Sequence, residues 1–158
     1  MTREEQYMME ALALAREAAA AGEVPVGCVI VKNDRIVGRG RNRREEKQSA
    51  LSHAELEAIA DACETLGGWR LKGTRLYVTL EPCPMCAGGI ISARVPEIYY
   101  GAKDEGFGAC GSILNLFEEN FRHHPKIVGH ILEEECKELL QTFFTQVREK
   151  SPENLKIL

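Results

Sequence analysis

Apolar positions recur at helical spacing through residues 3–22, where Tyr7 and Met8, Ala11 and Leu12, Ala15, and Ala18 and Ala19 share one face. Gly22 ends that segment. The period then changes. Val24 to Lys32 is a continuous apolar run, Asn33-Asp34 supplies a turn and Arg35 to Gly40 returns, which predicts a β-hairpin with a long exit loop over 41–51. Ser52 is placed as the next helix N-cap, with Glu55 at the capping-box position, and that helix runs to Leu66 before Gly67-Gly68. Thr74 to Leu80 reads as a strand stopped by Pro82, and Cys83 to Ala93 as an apolar helix closed by Pro96. Glu97 to Tyr100 is a short strand. Residues 101–124 are glycine-rich and irregular, with a short helix around Ile113 to Glu119. Lys126 to His130 is a fifth strand, and a closing helix spans Glu133 to Lys150 with Leu139-Leu140, Phe143-Phe144 and Val147 inward. The order α-β-β-α-β-α-β-β-α implies an α/β protein: a mixed five-stranded sheet with helices on both faces. No repeat or linker interrupts it, so residues 1–158 are expected to form one domain with its core over about 3–150.

With 44% apolar and 28% charged residues, the 158-residue chain has neither a disordered nor a fibrous composition. No apolar run approaches the roughly 18 residues of a membrane span. The start, Met1-Thr2-Arg3-Glu4-Glu5, lacks the features of a signal peptide, so a cytoplasmic location is expected. The six cysteines, at 28, 63, 83, 86, 110 and 136, are then expected as reduced thiols. Cys28 lies in an apolar strand and Cys63 and Cys136 at helical positions, where each reads as a small buried hydrophobe. Cys110 is left open. The net charge of −4 argues against indiscriminate nucleic-acid binding, yet residues 35–47 carry six cations against two acids. A solvated face explains such a stretch as well as a binding surface does.

The chemistry-bearing residues fall in two places, His53-Ala54-Glu55 and Pro82-Cys83-Pro84-Met85-Cys86. One imidazole and two thiolates at C-x-x-C spacing fill three corners of a tetrahedral Zn²⁺ and leave the fourth for water. Structural zinc normally takes four protein ligands, so His53, Cys83 and Cys86 read as a catalytic zinc set, with Glu55 as the proton-handling carboxylate. Both ligand groups are predicted at helix N-termini, whose partial positive charge favours thiolate.

These residues match the H-x-E…P-C-x-x-C signature of the zinc nucleobase deaminases. The longer strings Gly22-Glu23-Val24-Pro25-Val26-Gly27, Gly68-Trp69-Arg70-Leu71, Leu76 to Gly88 and Phe143-Phe144 resemble the bacterial tRNA adenosine deaminases, over about residues 5–150. The resemblance implies a three-layer α/β/α cytidine-deaminase-like fold. It also implies hydrolysis of adenosine to inosine at the wobble position of a tRNA anticodon stem-loop by a homodimer with one zinc per subunit. Asn42 then corresponds to a base-contacting asparagine, Ala54, Asp104, Phe144 and Arg148 join the substrate-binding set, and Arg122-His123-His124 lies near the RNA. The chain departs from the family pattern at Ser52, Glu105, Arg122 and His130, none of which is in the zinc set.

Two other readings stand beside this one. Deaminases of free guanine, cytosine or dCMP share the zinc signature, and specificity lives in the pocket rather than the fold. A non-catalytic zinc module would need a fourth ligand from Cys110, His123, His124 or His130, and would leave Glu55 without a role.

Overall fold

The computed structural model describes residues 1–150. Its regular elements are α1 (Arg3–Ala20), β1 (Gly27–Lys32), β2 (Arg35–Arg41), α2 (Arg44–Lys47), α3 (Ala54–Leu66), β3 (Arg75–Leu80), α4 (Pro84–Ala93), β4 (Glu97–Ala102), β5 (Lys126–Val128) and α5 (Glu133–Lys150), with one 3₁₀ turn at Leu116–Glu118. The strands lie in the order β2-β1-β3-β4-β5. β1 is antiparallel to both β2 and β3, whereas β3, β4 and β5 are parallel. A parallel neighbour requires a crossover, and α4 supplies it between β3 and β4.

Residue alternation along each strand builds two cores. Cys28 and Ile30 of β1, Leu76 and Val78 of β3, and Ile98 and Tyr100 of β4 pack with Ala54, Ala58 and Ala62 of α3 and Ala87 and Ile90 of α4. On the opposite face Val29, Val31, Tyr77 and Tyr99 meet Met8, Ala11 and Leu12 of α1 and Cys136 of α5. Burial on both faces explains why the central strands β1, β3 and β4 are mostly apolar, whereas the edge strands β2 and β5 carry exposed cations. The hairpin turn places Asn33 and Asp34 in the left-handed region, at φ 51° and 56°, the pairing that a two-residue type I′ turn demands. α1 is closed by a reciprocal cap: Glu5 N donates to Thr2 Oγ1 at 3.1 Å and Thr2 N donates to Glu5 Oε1 at 3.0 Å.

Several local expectations are corrected. β1 begins at Gly27 rather than Val24, because Pro25 has no N–H and Val26 N turns back to Val24 O. The exit loop contains α2, a single helical turn. The segment around Ile113 to Glu119 yields only the 3₁₀ turn, capped by Asn115, whose side chain accepts from Phe117 N. Ser52 is not the N-cap of α3. Its carbonyl accepts from Arg43 N, and His53 takes the cap position with φ −80° and ψ 152°. Glu55 therefore sits second in the helix and has no capping partner to hold it.

β2 meets α3 at unusually close range. A Cβ on Gly40 would overlap Ala54 O and the backbone of Ala58. Gly40→Ala should thus cost roughly 1–3 kcal/mol by overpacking, whereas Gly68→Ala, with no atom within 4 Å of the added carbon, should stay within about 0.5 kcal/mol. Urea denaturation of both variants checks this, and equal midpoints would count against the close approach.

Candidate active site and metal centre

α3 and α4 share one face of the sheet and point their N-termini at the same place. His53 is the N-cap of α3 and Cys83 the N-cap of α4, with Pro84 in the first helical turn. Neither cap residue spends its side chain on the helix end, so both are free to face each other. His53 Nδ1 lies 3.6 Å from Cys83 Sγ and 3.5 Å from Cys86 Sγ. All three donor atoms fall within 4.8 Å of one another, and among the described residues this is the one His/Cys/Asp/Glu group of at least three that could hold a metal ion. Bond lengths of about 2.3 Å to sulfur and 2.1 Å to nitrogen at a tetrahedral angle put N and S about 3.6 Å apart. The donor set and its spacing therefore fit a tetrahedral ion such as zinc. Cys110, His123, His124 and His130 do not join the cluster.

Without an ion the cluster shares protons. Cys86, largely buried and beside Cys83, keeps its proton and has its pKa raised. Cys83 is held at about 4, chiefly by the Cys86 thiol and then by His53, while His53 is raised chiefly by Cys83. The other buried thiols behave differently: burial pushes Cys110 and Cys136 to about 12 and Cys28 well above its usual value. The proximity of the two sulfurs and the imidazole thus favours the thiolate form at Cys83, in contrast to the thiols buried elsewhere.

The cluster opens into a cavity of about 870 Å³, on whose wall lie Asn42, His53, Ala54, Glu55, Cys83, Asp104 and Phe144. Glu55 is 4% exposed. Burial raises its carboxyl to about 7, with the negative Cys83 adding to the shift and His53 opposing it. A carboxyl poised near neutrality can both take and return a proton. Asn42 is buried and held by the backbone: its Nδ2 donates to Val24 O at 3.2 Å and its Oδ1 accepts from Arg44 N at 3.2 Å. Asp104 Oδ1 accepts from Gly106 N and Phe107 N, each at 3.1 Å, closing a turn. Phe143 is buried, but its neighbour Phe144 lines the cavity instead of the core. Arg148 is exposed and off the cavity wall, as are Arg122 and His124. His123 spends its Nε2 on Val95 O.

Half of the six cations at 35–47 are paired where they stand. Arg41 and Arg43 pair with Glu46, and Lys47 pairs with Glu57. Arg44, Lys103 and Lys137 remain on the cavity wall without a carboxylate partner among the described ion pairs.

Two buried acids escaped the sequence reading. Glu23, 1% exposed, accepts from Glu45 N at 3.0 Å and Glu46 N at 2.7 Å, which ties the α2 segment beside Asn42. Glu81, 2% exposed, accepts from backbone and side-chain donors of the 104–112 loop. Burial alone would raise its carboxyl, but those hydrogen bonds outweigh burial and hold it below the ordinary value. The available signal was weak: each is a single acid next to an apolar strand, at Glu23-Val24 and Leu80-Glu81.

The fold is the three-layer α/β/α arrangement of the cytidine-deaminase-like proteins. A sequence model of the MafB19-like deaminase family matches residues 2–148. The tRNA-specific adenosine deaminase of Bacillus subtilis is 48% identical over 151 residues, which cover 95% of this chain and 94% of that one. A structure solved in a study of A-to-I editing by tRNA:A34 deaminases at the wobble position superposes with a TM-score of 0.82 at 43% identity, over 85% of this chain and 99% of its own. The guanine deaminase of Nitrosomonas europaea, at 22% identity, shares the fold with a TM-score of 0.80 over 92% of this chain and 86% of its own. The chain belongs to the MafB19-like deaminase family, in the branch of the tRNA-specific adenosine deaminases.

The buried Glu55 makes a pH-dependent contribution to stability in the metal-free protein. Its folded pKa of about 7 lies above the ordinary 4.5, so below that lower value both states hold the proton and no penalty exists. As pH rises through the interval the unfolded chain ionises first and stability falls, by about 3 kcal/mol once the folded group has ionised. Relative to wild type, Glu55→Gln should gain about that much between pH 4 and pH 8. Urea titrations in chelator at the two pH values read the difference, and a gap independent of pH would contradict the raised pKa.

Proposed function

We propose that this enzyme is a single zinc-dependent domain that hydrolyses adenosine to inosine at the wobble position of a tRNA anticodon loop. The observation that carries the chemistry is the convergence of His53, Cys83 and Cys86 beside a carboxyl poised near pH 7. The substrate reading rests on the similarity to relatives named for tRNA adenosine deamination and on a cavity larger than one base requires. His53 Nδ1 and the Cys83 and Cys86 sulfurs would hold zinc, which when bound supplies the polarisation that makes water nucleophilic at neutral pH. Glu55 would take one proton from that water and give it to N1 of the adenine as the water oxygen bonds to C6. It would then take the remaining proton from that oxygen and pass it to the C6 amine, so that the C–N bond breaks and ammonia leaves. Its side chain starts from the second residue of α3 and its carboxyl is buried in the cavity wall, close to the ligand set but outside it.

Anticodon-loop bases unstack at modest cost, and single-stranded loops are where RNA sequence is read. Asn42, pinned by Val24 O and Arg44 N, would present the remaining donor and acceptor capacity of its amide to the base. Ala54 would pack against it, Phe144 would offer a stacking surface, and Asp104 would fix the loop on the far rim. Arg148 is kept as an RNA contact only outside the cavity, with the stem or flanking nucleotides. A homodimer is part of the proposal, supported by the exposure of Leu51, Ile113, Leu114 and Phe121. None of the described helices is long and apolar enough to cross a membrane. A cytoplasmic location accords with a tRNA substrate.

Purified zinc-loaded protein should form inosine from an anticodon stem-loop with adenosine at the wobble position. Glu55→Ala should keep its zinc and lose at least about 10²–10⁴-fold in rate. Guanine, cytosine and dCMP serve as parallel substrates, and turnover confined to one of them would overturn the tRNA reading while keeping the zinc chemistry. Stem-loop affinity should fall with salt at a modest slope: three unpaired cations on the wall, at about −0.7 each, give a slope near −2 in log–log form. A fluorescence-anisotropy series measures it, and a slope near zero would remove Arg44, Lys103 and Lys137 from the phosphate contacts.

A further inference from the structure

Glu81 joins the end of β3 to the first cysteine of the metal set through a single proline, and its side chain is buried. Both carboxylate oxygens are fully used. Oε1 accepts from Asp104 N at 3.1 Å and from Ser112 Oγ at 2.5 Å, and Oε2 accepts from Cys110 N at 2.9 Å and from Ser112 N at 3.2 Å. All four donors belong to one loop, 104–112, which has almost no regular structure of its own. The same junction is stitched by backbone bonds: Glu81 N donates to Ala102 O and Ala109 N donates to Pro82 O, both at 2.8 Å.

The loop is shaped to receive this carboxylate. A Cβ on Gly108 would overlap Glu81 Oε2 and the Asp104 carbonyl, so a side chain there would push the loop off. Only an acceptor without N–H fits a ring of four donors, and an ionised acceptor makes those bonds about twice as strong as neutral ones. On the other side, the loop sends Asp104, Glu105 and Phe107 to the cavity wall, and Phe107 stands 68% exposed at the rim. Glu81 itself is two residues from Cys83, so the position of the rim is referenced directly to the metal ligands.

We propose that Glu81 is a positioning residue that clasps the 104–112 loop and thereby sets the rim that grips the polynucleotide, without touching substrate or metal. This inference rests on the proposed RNA substrate for its functional consequence, though not for the clasp. Loss of the clasp acts on the grip of a long substrate. The His53, Cys83, Cys86 and Glu55 constellation is anchored separately, by the helix packing of α3 and α4.

Glu81→Gln tests it, because the amide keeps the volume but turns an N–H towards donors. Three quantities are read in the zinc-loaded protein: amide exchange at Cys110 and Ser112, affinity for the anticodon stem-loop by anisotropy, and kcat and KM for inosine formation. The expected result is exchange at least about tenfold faster, affinity and KM weakened about tenfold, kcat within about threefold and zinc content unchanged. Ser112→Ala, which removes one of the four bonds, should show a smaller shift in the same direction, and Ser112→Thr should restore the wild-type values. The double variant should be no worse than Glu81→Gln alone. If Glu81→Gln does not fold, Ser112→Ala carries the test. Wild-type exchange and affinity in these variants overturn the proposal, and so does a loss confined to kcat or to zinc. If the wild-type protein forms no inosine, the functional reading fails, while exchange and direct RNA affinity still judge the clasp.

Discussion

His53 and Cys83 each occupy the residue just before a helix, and the chemistry depends on those two helix ends meeting. α3 can approach β2 only because Gly38 and Gly40 present no side chain to it, and α4 must cross from β3 to its parallel neighbour β4 on the same side of the sheet. Two helices laid on one face by these constraints bring their N-termini together at one end of the strands. There the unpaired N–H groups and partial positive charge favour thiolate, and three donor atoms reach tetrahedral spacing. The cap residues give their carbonyls to the helices, to Glu57 N and Ala87 N, and keep their side chains for each other. The cost is two helix ends without side-chain caps, and the return is an imidazole and a thiol held ready for an ion.

The same site stores a second strain in its protonation. A buried carboxyl at about 7 destabilises the fold at neutral pH, when it would otherwise ionise freely. That is the state a general acid–base needs, since it must hold and release the same proton within one turnover. Glu55 escapes the capping interaction expected of it because Ser52 is tied by Arg43 N, which shifts the helix start by one residue.

The rims show a recurring device. Glu23 and Glu81 are buried, ionisable and satisfied by backbone N–H groups of a loop distant in sequence. Each pins an irregular segment against the sheet on one side of the cavity, the first beside Asn42 and the second beside Asp104. Charge at the rim is managed in the same economical way. Glu46 and Glu57 neutralise three of the six cations in the 35–47 stretch and leave Arg44 facing the cavity with Lys103 and Lys137.

Apolar patterning together with turn and stop residues revealed the order of elements apart from α2, and with it the mixed sheet and the helices on both faces, because the helical stripes of α1 and α5 and the apolar strands bounded by Gly, Pro and Asn-Asp are local features. C-x-x-C spacing and the H-x-E triplet likewise singled out His53, Cys83 and Cys86, which the fold brings within reach of one another, and the buried Glu55 beside them, since each pattern is local to three or four residues. What periodicity could not reach depends on contacts between distant segments. The start of β1 was set by Pro25 and a tight bend at Val24–Val26, and the cap of α3 by Arg43 N. The exposure of Arg148, the inward turn of Phe144 and the pairing of half the cations in the basic stretch were all decided by packing. The roles of Glu23 and Glu81 were invisible for the same reason: an acid next to a strand reads as surface until the fold shows which N–H groups surround it. Sequence determined which groups this protein has for chemistry. Tertiary structure decided which of them face the cavity, because burial and hydrogen-bond partners are properties of the packed chain and not of any segment within it.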